Sequence, residues 1–508
     1  MLGLQRLLAV PAGRATHQGA QHFTHAHDAW LLRKADGHVR PEHDAPAVRR
    51  AAHAHLVIDT GWDPAGAVRR QQPRPRGGAN PHQALFDAEE LAAHVVVPVV
   101  LARAEAELAP WLVGAPEREE RGAIGAFAQG LRQAGVAFDV YERDPVTAGR
   151  SQGYRIRIDA EGQAALSRCL PASLYSLFRQ SCSSSSSMQF VDRDLAPIPG
   201  RPARSWRTAK ANGDPPRDLS ANRQTLREIL LCGIGEHMHH GKALRRFDVV
   251  APDEVHLQFD DGTWTTSTLL VGADGVNSAV RAQLAPAAAP IDTAAVCIYG
   301  KTHATAALRE RIGATLWAGT SVVFADGFAV ILDPMLFAEP LPALAARLAP
   351  ACRLEPVDDY LYWAFIGPRT SLRIGPDELP NQIGLTACIE AMTCDWHPQL
   401  LTLFAHGDAH TLAILPVRSV SPEIATWSAG PVTLLGDAIH AMSPAGGVGA
   451  NTALRDAAAL AAAMVNGAGQ REAVAGYEAA MRVWARTAIQ ASNEGARRLF
   501  EANPINES

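Results

Sequence analysis

The stretch LLGDAIHAMSPAGGVGANTALRDAAALA, residues 434–461, holds the densest set of residues able to do chemistry. An apolar run ends in Gly436-Asp437, a loop of small residues follows, and a helical pattern starts near Asn451. Glycines at 446, 447 and 449 permit positive φ values and let the backbone come close to a ligand. Successive backbone N–H groups in such a loop, together with the helix N-terminus behind them, make a concavity suited to anions. Asp437, held at a strand end, is an acceptor for sugar or polyol hydroxyls. A plain glycine turn with Asp capping the next helix is the rival reading, and the length and order of the pattern weigh against it.

A second stretch, LLVGADGVNSAVRAQL at 269–284, has the same architecture: strand residues lead into Gly272-Ala-Asp274-Gly275, and Ser278 can cap a helix carrying Val280 and Arg281. By itself this one says less, because Asp-Gly is a common turn. The elements that position these pieces are legible around them. AIGAFAQGLRQAG (123–135) places Ile124, Phe127, Ala128 and Leu131 on one helical face and stops at Gly135. VAFDVYE (136–142) follows as a short strand, ANRQTLREIL (221–230) is helical, and TALRDAAALAAAMV (452–465) is a helix ending at Asn466-Gly467.

In order and content these pieces resemble the signatures of the class A FAD-dependent monooxygenases, the aromatic-hydroxylase-like flavoproteins with the para-hydroxybenzoate hydroxylase fold. The resemblance runs over about 109–508 and is most specific at 434–461. It implies an α/β fold: an FAD-binding Rossmann-like domain at 109–285 and 415–508, the latter ending in helices, with a β-sheet substrate domain inserted at 286–414 and a strand from MQFVD (188–192) added to it.

It also implies roles. Glu142, with Arg143 beside it, would accept hydrogen bonds from the adenosine ribose, since a carboxylate suits a diol and repels a 2′-phosphate. Gly153 and Arg155 would sit where a loop meets the cofactor, and Arg223 near the FAD pyrophosphate or ribityl chain. Asp274 would lie near the flavin and shape the approach of nicotinamide, and Asp437 would hold the ribityl and pyrophosphate region. Gly447, Val448, Gly449, Ala450 and Asn451 would run beneath the isoalloxazine, with Pro444 and Met442 shaping the pocket wall. For His440 a packing role is expected over an acid–base one.

The implied chemistry is NAD(P)H reduction of FAD, a flavin C4a-hydroperoxide, and hydroxylation or epoxidation of an aromatic or polyketide-like molecule; no catalytic side chain is assigned. A flavin oxidoreductase without oxygen insertion, or a non-enzymatic relative with an impaired pyrophosphate site, are the alternatives, because fold alone does not fix function.

One part of the family pattern is broken. Trp111-Leu-Val-Gly114-Ala115 can end the opening strand, but PEREER (116–121) intervenes before Gly122-Ala-Ile-Gly125 resumes the glycine fingerprint. Glu142 stands 20 residues after Gly122, the spacing expected of the ribose acid. Glu117, Glu119 and Glu120 would repel a pyrophosphate unless the segment loops outward. Two other readings stay open: VVVPVVLA (95–102) replaces the first strand, although Pro98 argues against a central one, or the sequence before about 122 is not the natural reading of the gene.

Composition bounds the rest. The chain has 508 residues, a formal net charge of −5 and 47% apolar residues, enough for a large core and without an electrostatic reason to prefer nucleic acid. Seven scattered cysteines without CxxC or zinc spacing fit a reducing compartment, and no metal site is expected. Residues 1–108 carry ten of the nineteen histidines without periodicity and read as an atypical, poorly ordered extension. The expected partner is a small aromatic substrate, with no nucleic acid and no integral membrane association, in the cytoplasm.

Overall fold

The computed structural model describes residues 54–56, 100–101, 120–145, 154–183, 188–198, 217–325, 327–375, 379–465 and 469–500. All of them fall in the compact unit Ala51–Ser508. Gly114, most of PEREER and Gly153 lie outside the described residues; the helix Glu120–Gln133 starts within the last two residues of PEREER. Strands are numbered in chain order.

A parallel sheet runs in the order β17 (Val432–Leu434), β11 (Leu270–Gly272), β1 (Ala54–Leu56), β3 (Phe138–Glu142), with β7 (Met238–His240) on the far side of β3. β2 (Val100–Leu101) also pairs with β3, at Tyr141 and Glu142. Val140 already pairs with both Leu56 and Met238, and Tyr141 with both Val100 and His239, so β1 and β2 lie end to end along one edge of β3. Every pairing in this sheet is parallel. β11 and β17 read as short apolar runs, and all three residues of each are buried.

This corrects the expected domain boundary. Two pieces of the stretch 1–108, which reads as an extension, supply the opening strand position of the parallel sheet. Val100–Leu101 comes from the VVVPVVLA run just beyond Pro98, which explains how a proline there is tolerated: it precedes the paired residues.

Helix packing explains two glycines of the regular stretch. A Cβ at Gly125 would stand 2.7 Å from that of Leu230, and one at Gly130 2.8 Å from that of Ala461. Both permit the helix Glu120–Gln133 to press on Arg223–Leu231 and Gly449–Val465. Gly125 therefore fills the fingerprint's packing role, while a Cβ at Gly122 would meet only open space.

The second large sheet is mostly antiparallel, in the order β16 (Ala413–Ser419), β12 (Ile291–His303), β15 (Tyr360–Pro368), β14 (Phe328–Met335), β13 (Thr320–Ala325), β5 (Met188–Asp192), with β5 joined in parallel. β16 runs past the expected boundary at 414. Alternation along β15 sends Leu361, Trp363 and Phe365 into one core and Tyr360, Ala364 and Ile366 into another on the opposite face. The first face is closed by the helices Ala306–Ile312, Gln382–Thr393 and Pro398–Ala405, which supply Leu308, Ile312, Leu385, Ile389, Leu400 and Leu403. Two small sheets complete the chain: β8 (Leu244–Ala251), β9 (Glu254–Phe259) and β10 (Trp264–Ser267), and the pair β4 (Ile156–Ile158) with β6 (Leu219–Ala221). Among the described residues no helix is long and apolar enough to cross a membrane.

Candidate active site

β17 ends at Leu434, and Gly436 turns the chain at φ 65°, ψ −148°, a conformation that only glycine takes without strain. A buried cluster holds that turn. Asp456, from the helix Gly449–Val465, accepts from Gly436 N at 2.9 Å and contacts His440 Nε2 at 2.5 Å through Oδ2, while its Oδ1 accepts from Trp484 Nε1 at 2.7 Å. His440 and Asp456 are both fully buried. Burial alone would push the His440 pKa down, but the Asp456 carboxylate and its hydrogen bond, with Asp437 behind them, outweigh it and hold the pKa above its usual value. The His440–Asp456 pair and the bond from Gly436 N hold the turn on which Asp437 stands.

Gly447 lies in the left-handed region at φ 62°, and a Cβ there would meet nothing. Gly446 has a packing role as well: a Cβ there would come 2.7 Å from Ser492 Cα, on the helix Gln470–Phe500. The helix that follows begins at Gly449 and Ala450. The Asn451 side chain accepts from Asp159 N at 3.0 Å and donates to Arg157 O at 3.0 Å and Gly447 O at 3.3 Å, tying this turn to β4. Val448 packs with Val276, Ala441 and Met442.

Arg155, Arg223, Asp437 and Pro444, distant in sequence, line one cleft. The cleft is open to solvent, and its empty space with that open solvent included is about 820 Å³. The opposite wall comes from the inserted sheet: Cys297 and Tyr299 of β12, Tyr362 of β15, and Leu415 to Arg418 of β16. Val276, Ala441 and Met442 complete it. Arg155 is fixed by Asp333, Nε to Oδ2 at 2.5 Å, and donates to Ser220 Oγ at 3.3 Å; Asp333 is fully buried and also accepts from Ser220 Oγ at 2.6 Å and Thr320 Oγ1 at 3.0 Å. Arg223 is the first residue of its helix, capped by Asn222, whose Oδ1 accepts from Thr225 N at 3.0 Å. The Arg223 Nη2 is buried and has no hydrogen-bond partner among the described residues.

The other expected residues stand apart from the cleft lining. Glu142 is buried at the end of β3, with Oε1 accepting from Asp144 N at 3.0 Å, and Arg143 points to Asp144 at 3.4 Å. Asp274 is turned inward: Ser278 Oγ donates to one carboxylate oxygen and Val280 N to the other at 2.9 Å, while Ser278 caps its helix through Arg281 N. Burial pushes the Asp274 pKa up to about 6, against the pull of those hydrogen bonds. It locks the Gly-Ala-Asp-Gly turn and does not reach the cleft. Among the described residues no group of His, Cys, Asp or Glu could hold a metal ion.

The sequence reading missed the sheet wall. A usable signal was the alternation in YLYWAFI, which sends Tyr360 and Tyr362 to the face opposite Trp363 and Phe365, and the one arginine in the apolar run AILPVRSV.

The model of an FAD binding domain matches residues 392–492, which contain Asp437 and the glycine loop. A dual O-methyltransferase/FAD-dependent monooxygenase of Phaeosphaeria nodorum, elcB, is 36% identical over 373 residues, 68% of this chain and 39% of that protein. The chain spans less than half the length of the first curated relatives it matches. The crystal structure of a putative FAD-containing monooxygenase from Photorhabdus luminescens superposes with a TM-score of 0.62 at 26% identity, covering 75% of this chain and 96% of that one. A salicylate hydroxylase, 18% identical, shares the fold with a TM-score of 0.56 over 81% of this chain and 90% of its own. The strand–turn–helix around Asp437, the inserted sheet facing it and these relatives lead to one conclusion: the chain belongs to the class A FAD-dependent monooxygenase family.

Proposed function

We propose that this protein is an FAD-dependent monooxygenase that draws electrons from NADH or NADPH and hydroxylates or epoxidises an aromatic or polyketide-like small molecule. The observation that carries the reading is the two-walled cleft, with Arg155, Arg223, Asp437 and Pro444 facing tyrosines and apolar strand residues. Relatives named for FAD-dependent monooxygenase activity favour oxygen insertion over a flavin oxidoreductase without it or a non-enzymatic relative.

The residues present fit FAD. A buried guanidinium nitrogen of Arg223, without a hydrogen-bond partner among the described residues, is suited to a phosphate or ribityl oxygen. Glu142, buried at a strand end, is suited to ribose hydroxyls. Asp437 would bind polyol hydroxyls, held in place by the Asp456–His440 cluster. The N–H groups from Gly447 to Asn451, at the start of a 17-residue helix, would favour negative charge on the ring system. Gly122 would admit the cofactor's close approach, and Arg155, locked by Asp333, would present fixed positive charge. Bound FAD supplies the electron transfer and oxygen activation. Val276, Leu415, Val417, Ala441 and Met442 would give the space beside it an apolar lining. We place the enzyme in the cytoplasm on the same footing, its cysteines lacking the spacing of a disulfide framework.

The test is the visible spectrum of the purified full chain, with the released cofactor identified, followed by NAD(P)H consumption under ¹⁸O₂. Bound FAD and substrate-stimulated NAD(P)H oxidation with one labelled oxygen in the product are expected. A chain that stays colourless after FAD is supplied would overturn the reading.

A further inference from the structure

The cysteines are free thiols, and two of them meet at the C-terminal end of the helix Arg223–Leu231, the end away from the cleft arginine. Cys232 caps that end and is half-buried. Cys352 is buried, on the segment that follows the helix Leu341–Leu348, between β14 and β15 of the inserted sheet. That segment is tied to the Arg223 helix at Glu228, one turn before Cys232. Glu355 N donates to Glu228 Oε2 at 3.1 Å, and Cys352 Sγ stands 4.0 Å from Glu228 O. The two thiols share a hydrogen bond.

The pair is asymmetric. The hydrogen bond with Cys352 brings the Cys232 pKa down to about 7, against the pull of burial and with the help of the Arg132 charge. The Arg132 guanidinium lies beside Gly233, where a Cβ would come 2.7 Å from its Nη1. The same bond, together with burial, pushes the Cys352 thiol well up, so it stays the protonated partner. The thiolate is the reactive form of cysteine, and Cys232 has a second sulfur already in contact to resolve what forms on it. Sulfurs so placed need only a small approach to reach the disulfide bond length of about 2.05 Å.

We propose that Cys232 and Cys352 are a modification site, an oxidisable thiol pair that hydrogen peroxide converts to a disulfide, clamping the helix that starts at Arg223 to the segment between β14 and β15. The Cys232 thiolate attacks one peroxide oxygen; the O–O bond breaks, the sulfur becomes a sulfenic acid, and the departing hydroxide takes a proton to become water. The Cys352 sulfur then attacks that of Cys232; the S–O bond breaks, and the hydroxyl leaves with the thiol proton as a second water. The two sulfurs lose two electrons and the peroxide gains them. In a reducing compartment the pair rests as thiols and closes when peroxide rises. The bond closes a loop of about 120 residues and joins elements that reach both walls of the cleft. None of this depends on which reaction the cleft performs.

The experiment treats the purified full chain, supplied with FAD, with hydrogen peroxide near neutral pH. Remaining thiols are blocked with N-ethylmaleimide, and disulfides are mapped by peptide mass without reduction. A Cys232–Cys352 cross-linked peptide is expected, at least about 10-fold more abundant than any other pairing and reversed by dithiothreitol. The oxidised protein should melt about 3 °C or more above the reduced one. With dimedone present, Cys352→Ser should accumulate the adduct on Cys232, and Cys232→Ser should leave Cys352 unlabelled. Both thiols still open to N-ethylmaleimide after peroxide, the adduct on Cys352 and not Cys232, or a bond that forms without raising the melting temperature would each overturn the proposal. The disulfide map is read on the unmodified protein, so a poorly folding substitution does not shield it.

Discussion

The two faces of the inserted six-stranded sheet are made by the same strands and do opposite work. One face carries Val296, Ile298, Val330, Leu332, Leu361, Trp363 and Phe365 under a lid of helices, with Trp363 edge-on to both Phe365 and Phe404. The other carries Cys297, Tyr299, Tyr362 and the buried Asp333, and part of it lines a cleft. The turns across that cleft add more buried ionisable groups, Asp274, His440 and Asp456. A one-residue step along a strand therefore moves a side chain from a place where volume decides its value to one where charge does. Stability is concentrated on the closed face; on the open face some of it is exchanged for polar groups held ready for a ligand.

The sharpest way to break this contrast is to cut into the closed face. Trp363→Ala removes the largest fully buried side chain among the described residues and the hydrogen bond that its Nε1 donates to Thr302 Oγ1 at 3.1 Å. Urea denaturation should show a loss of about 3–5 kcal/mol. A loss below about 1 kcal/mol would mean that this face is not the main source of the sheet's stability.

The next effect belongs to pH, and it should arise at the buried carboxylate and histidine of the turns, not on the closed face. Asp274 has its folded pKa raised to about 6 from the ordinary 3.8. Its contribution is therefore fully present below about pH 4 and lost as pH rises through about 6, on the order of 3 kcal/mol in all. His440 is shifted in the same sense, so its share persists below its unfolded value near 6.5 and fades as pH rises through the higher folded one. Denaturation midpoints of Asp274→Asn against the unmodified protein, from pH 4 to 7, should show a flatter profile for the variant. Identical slopes would remove Asp274 from the pH dependence.

A smaller loss is expected from Asp333→Asn, which keeps the shape but leaves Arg155 without its counter-charge. About 1.5–3 kcal/mol should go, read by urea denaturation, and retention of FAD on a desalting column should weaken with it. Smallest of all is Tyr362→Phe, read by the same urea denaturation: stability should move by about 0.5 kcal/mol or less. If Tyr362→Phe costs as much as Trp363→Ala, the two faces do not differ in the way described.

The helix Glu120–Gln133, its stop at Gly135 (φ 67°), β3 ending at Glu142, and the turn and helix after Asp437 were all legible in the chain, because periodicity, glycine and capping residues are local signals. The turn at Asp274 was legible, but not that Ser278 and Val280 N would take its carboxylate, since nothing local announces those partners. The packing of Gly446 on Ser492, 46 residues away, was hidden for the same reason. The opening strand was sought near Trp111 or in VVVPVVLA, whereas the place beside β3 and β11 is held by Ala54–Leu56, with Val100–Leu101 following in line. Three residues in a histidine-rich stretch carry no periodicity worth reading, and a parallel strand is defined by partners far along the chain.

The sequence by itself determined the family, through residue types at fixed short spacings in 434–461, and the resemblance then put forward Arg155, Arg223 and Asp437. Only the tertiary structure decided that those three share one cleft with Tyr299, Tyr362 and Arg418, that Asp333 cancels one arginine and not another, and which glycines make room for helices. Those outcomes depend on which atoms meet across tens or hundreds of residues, and on which charges lose their water when they do.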